Sequence, residues 1–191
     1  ALNITEINYK ISENFSDLIK FDKIIIPGVG NMTSISQEEI KNLSKNVFSY
    51  SQNGGLIFGI CLGLQMLFDY SEESGMKTLG LLQGNTVSIE KKFEIKLNVN
   101  FNKLNFEKHH YNNNTINSLF EDIDKTSNFY FLHSYYCNSH DKDCLIINSK
   151  VKNNLMPSMF IKKNIIGTQF HPELSKNAGL RFLKNFNYLT I

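Results

Sequence analysis

The sequence predicts an α/β fold whose sheet continues into an antiparallel extension, and three observations carry that expectation. Short apolar runs of strand length alternate with helically patterned stretches in the first half of the chain. Strand-like segments then crowd the second half with little helix between them. A single amphipathic stretch over 178–189, with Leu180, Phe182, Leu183 and Phe186 on one face, closes the chain. With 191 residues, 41% of them hydrophobic, one domain spanning 1–191 can bury an adequate core. No internal repeat and no Pro-, Gly- or Ser-rich linker divides it.

Residues 7–11 alternate as a strand would, and 16–20 suggest a short helical turn. Lys23-Ile24-Ile25-Ile26 reads as a buried strand that stops at Pro27-Gly28-Val29-Gly30. Such a stop leaves loop N–H groups at the carboxyl edge of a sheet, where ligands of open α/β folds bind and where an oxyanion can be held; a Pro-Gly pair after a strand also serves as a plain turn. Residues 34–50 read as a helix with Ile35, Ile40, Leu43, Val47 and Phe48 on one face, stopped by Asn53-Gly54-Gly55. A strand over 56–60 and a helix over 62–70 follow, then a loop over 71–84 carrying Gly75, Gly80 and Gly84, and a strand at 86–89.

Residues 96–106 alternate apolar and polar, as a half-exposed strand does. Asn112-Asn113-Asn114 reads as a solvated turn with no role of its own, and His109-His110 beside it as a surface pair, since no third metal ligand is evident. Phe129-Tyr130-Phe131-Leu132 is a strongly apolar strand running into His133-Ser134-Tyr135-Tyr136. Another strand covers 144–151, and 158–170 form a hairpin turned at Lys163-Asn164 that leads into His171-Pro172-Glu173.

The composition narrows the function classes. A net charge of +2 without a dense basic run argues against a nucleic-acid partner. Nothing resembles a signal peptide or a span of about 20 apolar residues, so the expectation is a soluble, cytoplasmic protein without membrane contact. Three cysteines, at 61, 137 and 144, form neither a disulfide frame nor a metal-ligand spacing. No metal and no cofactor is expected.

The chemistry is expected where strand turns into helix. Gly59-Ile60-Cys61-Leu62-Gly63 has the form of a nucleophile elbow, in which residues without a Cβ flank a side chain presented at a tight turn. The N-terminus of the following helix favours a thiolate there. The alternative is a small, inert core cysteine. A cysteine nucleophile needs a base, and the base an orienting carboxylate; His171 and Glu173, two residues apart after a strand, supply both. By itself His-Pro-Glu is also compatible with a surface turn.

Pro27-Gly28-Val29-Gly30, Gly59-Ile60-Cys61-Leu62-Gly63-Leu64-Gln65, His133-Ser134-Tyr135-Tyr136 and Gln169-Phe170-His171-Pro172-Glu173, in this order, resemble the class I (triad) glutamine amidotransferases. Within that class the His-Ser-Tyr-Tyr run and the terminal Gly179-Leu180-Arg181-Phe182-Leu183-Lys184-Asn185-Phe186 are most similar to the glutaminase subunits of imidazole glycerol phosphate synthase. The resemblance implies a flavodoxin-like open mixed sheet flanked by helices. It implies attack of Cys61 on the side-chain amide of glutamine, release of ammonia, and hydrolysis of a γ-glutamyl thioester, with His171 as acid and base and Glu173 as its orienter. It further implies oxyanion stabilisation by the Leu62 amide and by Gly28, Val29 and Gly30, and glutamine contacts from Gln65, His133, Ser134 and Tyr135. The implied partner is a (β/α)8 cyclase that forms a heterodimer with the glutaminase and receives the ammonia.

The sequence departs from the family pattern in three places. The usual first strand, Asp-Tyr-Gly-like loop and helix have no counterpart, so the expectation is a sheet lacking roughly its first βα unit. Asn98-Val99-Asn100-Phe101-Asn102 stands where His-Met-Gly-Trp-Asn is usual, and Leu174 where a lysine usually follows His-Pro-Glu. Both belong to the surface that would face the cyclase. Two alternatives follow: a paralogue supplying ammonia to another synthase, such as one that amidates a surface sugar, and a catalytically idle binding module.

Overall fold

The computed structural model describes residues 1–28 and 30–190. Twelve strands among them form two sheets. The larger contains β1 (Lys23–Ile26), β2 (Leu56–Ile60), β6 (Asn98–Asn105), β7 (Asn128–His133), β9 (Leu145–Val151), β10 (Asn154–Lys162), β11 (Ile165–Thr168) and β12 (Phe170–His171), in the order β1-β2-β11-β10-β9-β6-β7-β12. β1, β2 and β11 run parallel and the remaining pairings are antiparallel, as expected of an α/β sheet with an antiparallel extension. The smaller sheet joins β4 (Met76–Lys77), β3 (Tyr70–Ser71), β5 (Gly84–Ser88) and β8 (Tyr135–Ser139).

This order brings the two ends of the sheet together. β11 lies beside β2 near one end of the sheet, β12 closes the other end, and only Gln169 separates them in the chain. The sheet therefore curls until its far edge returns to β11. Phe170 and His171 pair with Phe131 and Tyr130 of β7, while Thr168 pairs with Ile60 at the end of β2. Phe58, Phe129, Phe131, Phe170, Phe182 and Phe186 fill the core that the curl encloses against α5 (Lys176–Tyr188). On the other side α1 (Gln37–Gln52) packs Ile40, Val47 and Tyr50 against a cluster with Ile57, Leu64, Leu67 and Phe68.

Several expectations need correction. Residues 7–11 form no strand: Tyr9 and Ile11 are exposed and find no sheet partner. The first long helix starts at Gln37 because Ser36 caps it and Glu39 reaches back to the Ser36 amide, a capping box readable as Ser-x-x-Glu. Its Phe48 is exposed, and Tyr50 takes the buried place, donating its hydroxyl to the Phe21 carbonyl. The helix after the elbow, α2 (Leu62–Met66), is only five residues long. Its continuation tightens through Leu67 N–H to Leu64 O and is captured by the small sheet, whose β3 and β4 lie where the sequence presented a helix end and a loop, while β5 lies at the strand expected over 86–89. His110 is not at the surface: it is fully buried, accepting from the Glu107 amide at Nδ1 and donating from Nε2 to the Ile146 carbonyl. Asn113 has a role after all, its side chain accepting from the Ile116 amide to cap α4 (Asn114–Leu119).

Candidate active site

Cys61 sits between β2 and α2 with φ 50° and ψ −103°, a backbone conformation that a non-glycine residue holds only when its surroundings fix it. Those surroundings are close. Its amide donates to the Thr168 carbonyl at 2.7 Å. A Cβ on Gly63 would lie 1.9 Å from the Ile26 carbonyl oxygen, and one on Gly59 2.7 Å from the Leu64 amide nitrogen. The two glycines are required by close backbone approach on both sides of the cysteine. A short helix beginning at Leu62 offers free N–H groups at its first turn, without the reach of a long macrodipole.

The curl brings the second half of the site to this point. Cys61 Sγ lies 3.7 Å from the Leu132 carbonyl, to which the thiol donates, and 3.7 Å from the side-chain nitrogen of Gln169. His171 is buried, and its Nδ1 is 2.7 Å from Glu173 Oε1. Its Nε2 is buried with no hydrogen bond of regular geometry. Burial pulls this imidazole towards the neutral form. Interaction with the Cys61 sulfur and with Glu173 overrides it, and the pKa rises from 6.5 to about 10. Cys61, His171 and Glu173 thus meet as nucleophile, base and orienter would. Ser175, which the sequence reading passed over, is fully within the packing: its Oγ donates to the His171 carbonyl at 2.5 Å and accepts from the Tyr130 amide at 2.9 Å. It fixes a two-residue strand that otherwise has one partner.

Burial holds the other two cysteines as thiols, Cys144 pushed up to about 11 and Cys137 well above the ordinary range. Neither is placed beside a base of this kind.

The loop after β1 approaches the elbow. Gly28 is buried, and a Cβ there would lie 2.4 Å from both the Leu62 and Gly63 amide nitrogens. Gly30 is exposed with φ 116°, a conformation suited to glycine. Val29 lies outside the described residues. Just beyond the loop, the Met32 amide donates to Glu73 Oε2.

The remaining expected contacts form one polar chain behind Cys61. The Gln65 side-chain nitrogen donates to the Tyr135 carbonyl at 3.2 Å. His133 Nδ1 is 2.8 Å from the same oxygen, and its Nε2 is 3.0 Å from the side-chain nitrogen of buried Asn98. A carbonyl only accepts, so Nδ1 carries the proton and Nε2 accepts from Asn98. Burial keeps this imidazole neutral, its pKa lowered to about 4, with the Tyr135 carbonyl opposing and the charge on His171 adding to the shift. His133 therefore supports the site from behind, both ring nitrogens being engaged. Ser134 ties the turn to the β5 side by accepting the Ile89 amide. Asn98 was no expected site residue; the sequence marked it only as a departure from a family motif.

The family model for class I glutamine amidotransferases matches residues 1–189. The imidazole glycerol phosphate synthase subunit HisH of Methanocaldococcus jannaschii is 37% identical over 177 residues, covering 92% of this chain and 85% of the relative. Its counterpart from Pyrococcus furiosus is 34% identical over 175 residues, covering 91% and 84%. Among solved structures, a putative GMP synthase protein from Thermoplasma acidophilum superposes with a TM-score of 0.70 at 16% identity, over 98% of this chain and 83% of that one. That likeness speaks to fold alone. Together with the matched motifs, these comparisons establish that the chain belongs to the class I glutamine amidotransferases.

Proposed function

We propose that the chain is a single glutaminase domain that hydrolyses glutamine to glutamate and ammonia as the subunit of an imidazole glycerol phosphate synthase of histidine biosynthesis. The observation that carries the chemistry is the convergence of Cys61 at a strained elbow with a buried His171 already paired to Glu173. The HisH relatives carry the assignment to that synthase.

Cys61 passes its proton to His171 Nε2, and the sulfur attacks the side-chain amide carbon of glutamine. As the C–S bond forms, the carbonyl electron pair moves onto oxygen, where the Leu62 amide and the loop at Gly28, Val29 and Gly30 stabilise it. The intermediate collapses with loss of the C–N bond, and His171 delivers the proton to the departing ammonia. A water, deprotonated by His171, then cleaves the γ-glutamyl thioester to glutamate and returns Cys61. Glu173 holds the imidazole in the tautomer that points Nε2 at the sulfur. Gln65, Ser134 and Tyr135 hold the substrate's far end, with His133 supporting them from behind.

The partner is a (β/α)8 cyclase, joined in a heterodimer. A surface beside the site fits that role. Val99 pairs across the strands with Leu132, and Phe101 with Tyr130, so the four side chains share one face of β6 and β7, and Val99, Phe101 and Leu132 are exposed. Leu174, beside the triad, is exposed as well. The test is glutamate release from glutamine by the chain alone and with the histidine-pathway cyclase, with and without the cyclase's substrate. A strong rise only in the full mixture is expected. No rise with that cyclase, but a rise with the synthase of another amidation reaction, would move the chain to a different acceptor.

A further inference from the structure

Gln169 is the single residue between β11 and β12, and it has no role in the mechanism above. Its backbone is fixed from both sides: its amide donates to the Ser158 carbonyl at 2.8 Å, and the Thr168 hydroxyl donates to the Phe170 carbonyl at 3.0 Å, closing the bend around it. Its side chain is fully buried and reaches back to the elbow, with Nε2 3.7 Å from Cys61 Sγ. Oε1 is buried with no hydrogen-bond partner among the described residues. A side chain of the same size without polar atoms would pack here without that unsatisfied acceptor. The amide's one engaged group faces the sulfur, and the cost of burying it is of the kind that functional sites carry.

We propose that Gln169 is a further catalytic residue, whose side-chain N–H donates to the Cys61 sulfur and stabilises the thiolate formed when the Cys61 proton passes to His171. The inference rests on the reading of Cys61 as the nucleophile. No proton crosses from the amide. The hydrogen bond is strongest when the sulfur is charged, first in the free thiolate and again when the thiolate departs from the thioester. It weakens while sulfur is bonded to carbon. A donor fixed in place beforehand supplies this without reorganisation. The position also explains why one residue interrupts the two strands: it links the strand that anchors the elbow to the strand that carries the base.

The test pairs basal glutaminase activity with iodoacetamide labelling of Cys61 across pH, in Gln169→Met, Gln169→Glu and Cys61→Ala. Gln169→Met keeps the volume and removes the donor. It is expected to lose about tenfold in kcat/KM at neutral pH, recovering at higher pH, with the acid limbs of activity and labelling shifted up together by about one unit. Gln169→Glu, which places a negative oxygen at the sulfur, is expected to lose more. A folded Gln169→Met whose two pH profiles superimpose on those of the wild type would overturn the proposal. If the variants do not fold, the side-chain amide resonance of Gln169 in nitrogen-labelled wild-type protein decides: it is expected to shift with the midpoint of Cys61 labelling and to be flat in Cys61→Ala, and a resonance indifferent to both would overturn the proposal. Glutamate release persisting in Cys61→Ala would instead overturn the nucleophile assignment.

Discussion

On one side of the Cys61 sulfur stand β2, α2 and β11, where the segments pack so closely that Gly59, Gly63 and Gly167 have no room for a Cβ. On the other side stand β6, β7 and β12, with partly exposed β6 and β7, an apolar outer face at Val99, Phe101 and Leu132, and a buried polar chain from Asn98 to Tyr135 behind it. Cys61 belongs to the first wall and His171 to the second. The first wall is held by close backbone contact; the second is held by side-chain packing, by the pairing of Leu104 and Asn105 of β6 with β9, and by the two-residue β12. The geometry of Cys61 against His171 therefore depends on how the second wall sits against the first, and whatever binds the β6–β7 face touches the wall that carries His171.

Removing the carboxylate of the second wall has the largest expected effect. Glu173→Gln is predicted to lower kcat by about 10³-fold or more, measured as glutamate release, because the imidazole loses its orienter. The His171 imidazole, with the Cys61 sulfur and then Glu173 holding its charged form against burial, also predicts a pH dependence of stability. The His171 pKa is raised from 6.5 to about 10, so the stabilisation is complete below about 6.5 and is lost as pH climbs towards 10. Denaturation midpoints across that window are expected to fall with rising pH, and the slope to flatten in Glu173→Gln. On the first wall, Gly63→Ala forces a methyl to within 1.9 Å of the Ile26 carbonyl oxygen. A loss of about 3 kcal/mol in chemical denaturation is expected.

A smaller effect separates the polar chain from simple packing. Asn98→Ala leaves His133 Nε2 buried without its donor, with an expected cost of about 1–3 kcal/mol and a raised KM for glutamine, while Asn98→Gln or added ligand should restore part of it. The smallest stability change belongs to the outer face. Phe101→Ala is expected to alter stability by no more than about 0.5 kcal/mol yet to weaken binding of the cyclase about tenfold or more in titration calorimetry. Equal cyclase affinity for wild type and variant would remove this face from the interface.

Legibility in the sequence follows the same division. The elbow, β1, β2, the 158–170 hairpin and the residues of the proposed triad were readable because each rests on local signals: glycine spacing, apolar runs, a turn at Lys163-Asn164. The curl that brings β12 back to β7 was not, because strand order is a property of long-range pairing. The contacts of Gln169, Ser175 and Asn98 were missed for that reason: Gln169 and Asn98 stand in stretches the sequence did mark, but their partners, Cys61 and His133, like the Tyr130 amide that Ser175 accepts from, lie far away in the chain. The short α2 was misjudged because Leu64, Leu67 and Phe68 are all fully buried, and an apolar run buried all round reads alike as helix or loop. His110 was misplaced because its partners, the Glu107 amide and the Ile146 carbonyl, are backbone groups that no side-chain pattern reveals.

The measurement that bears most directly on the two-wall site is a rapid acid quench of the chain turning over isotopically labelled glutamine, followed by peptide mass spectrometry. A labelled glutamyl group on the peptide containing Cys61, absent in Cys61→Ala and markedly reduced in accumulation rate in Glu173→Gln, is the predicted result. A glutamyl group on another residue, or undiminished glutamate release from Cys61→Ala, would contradict the account.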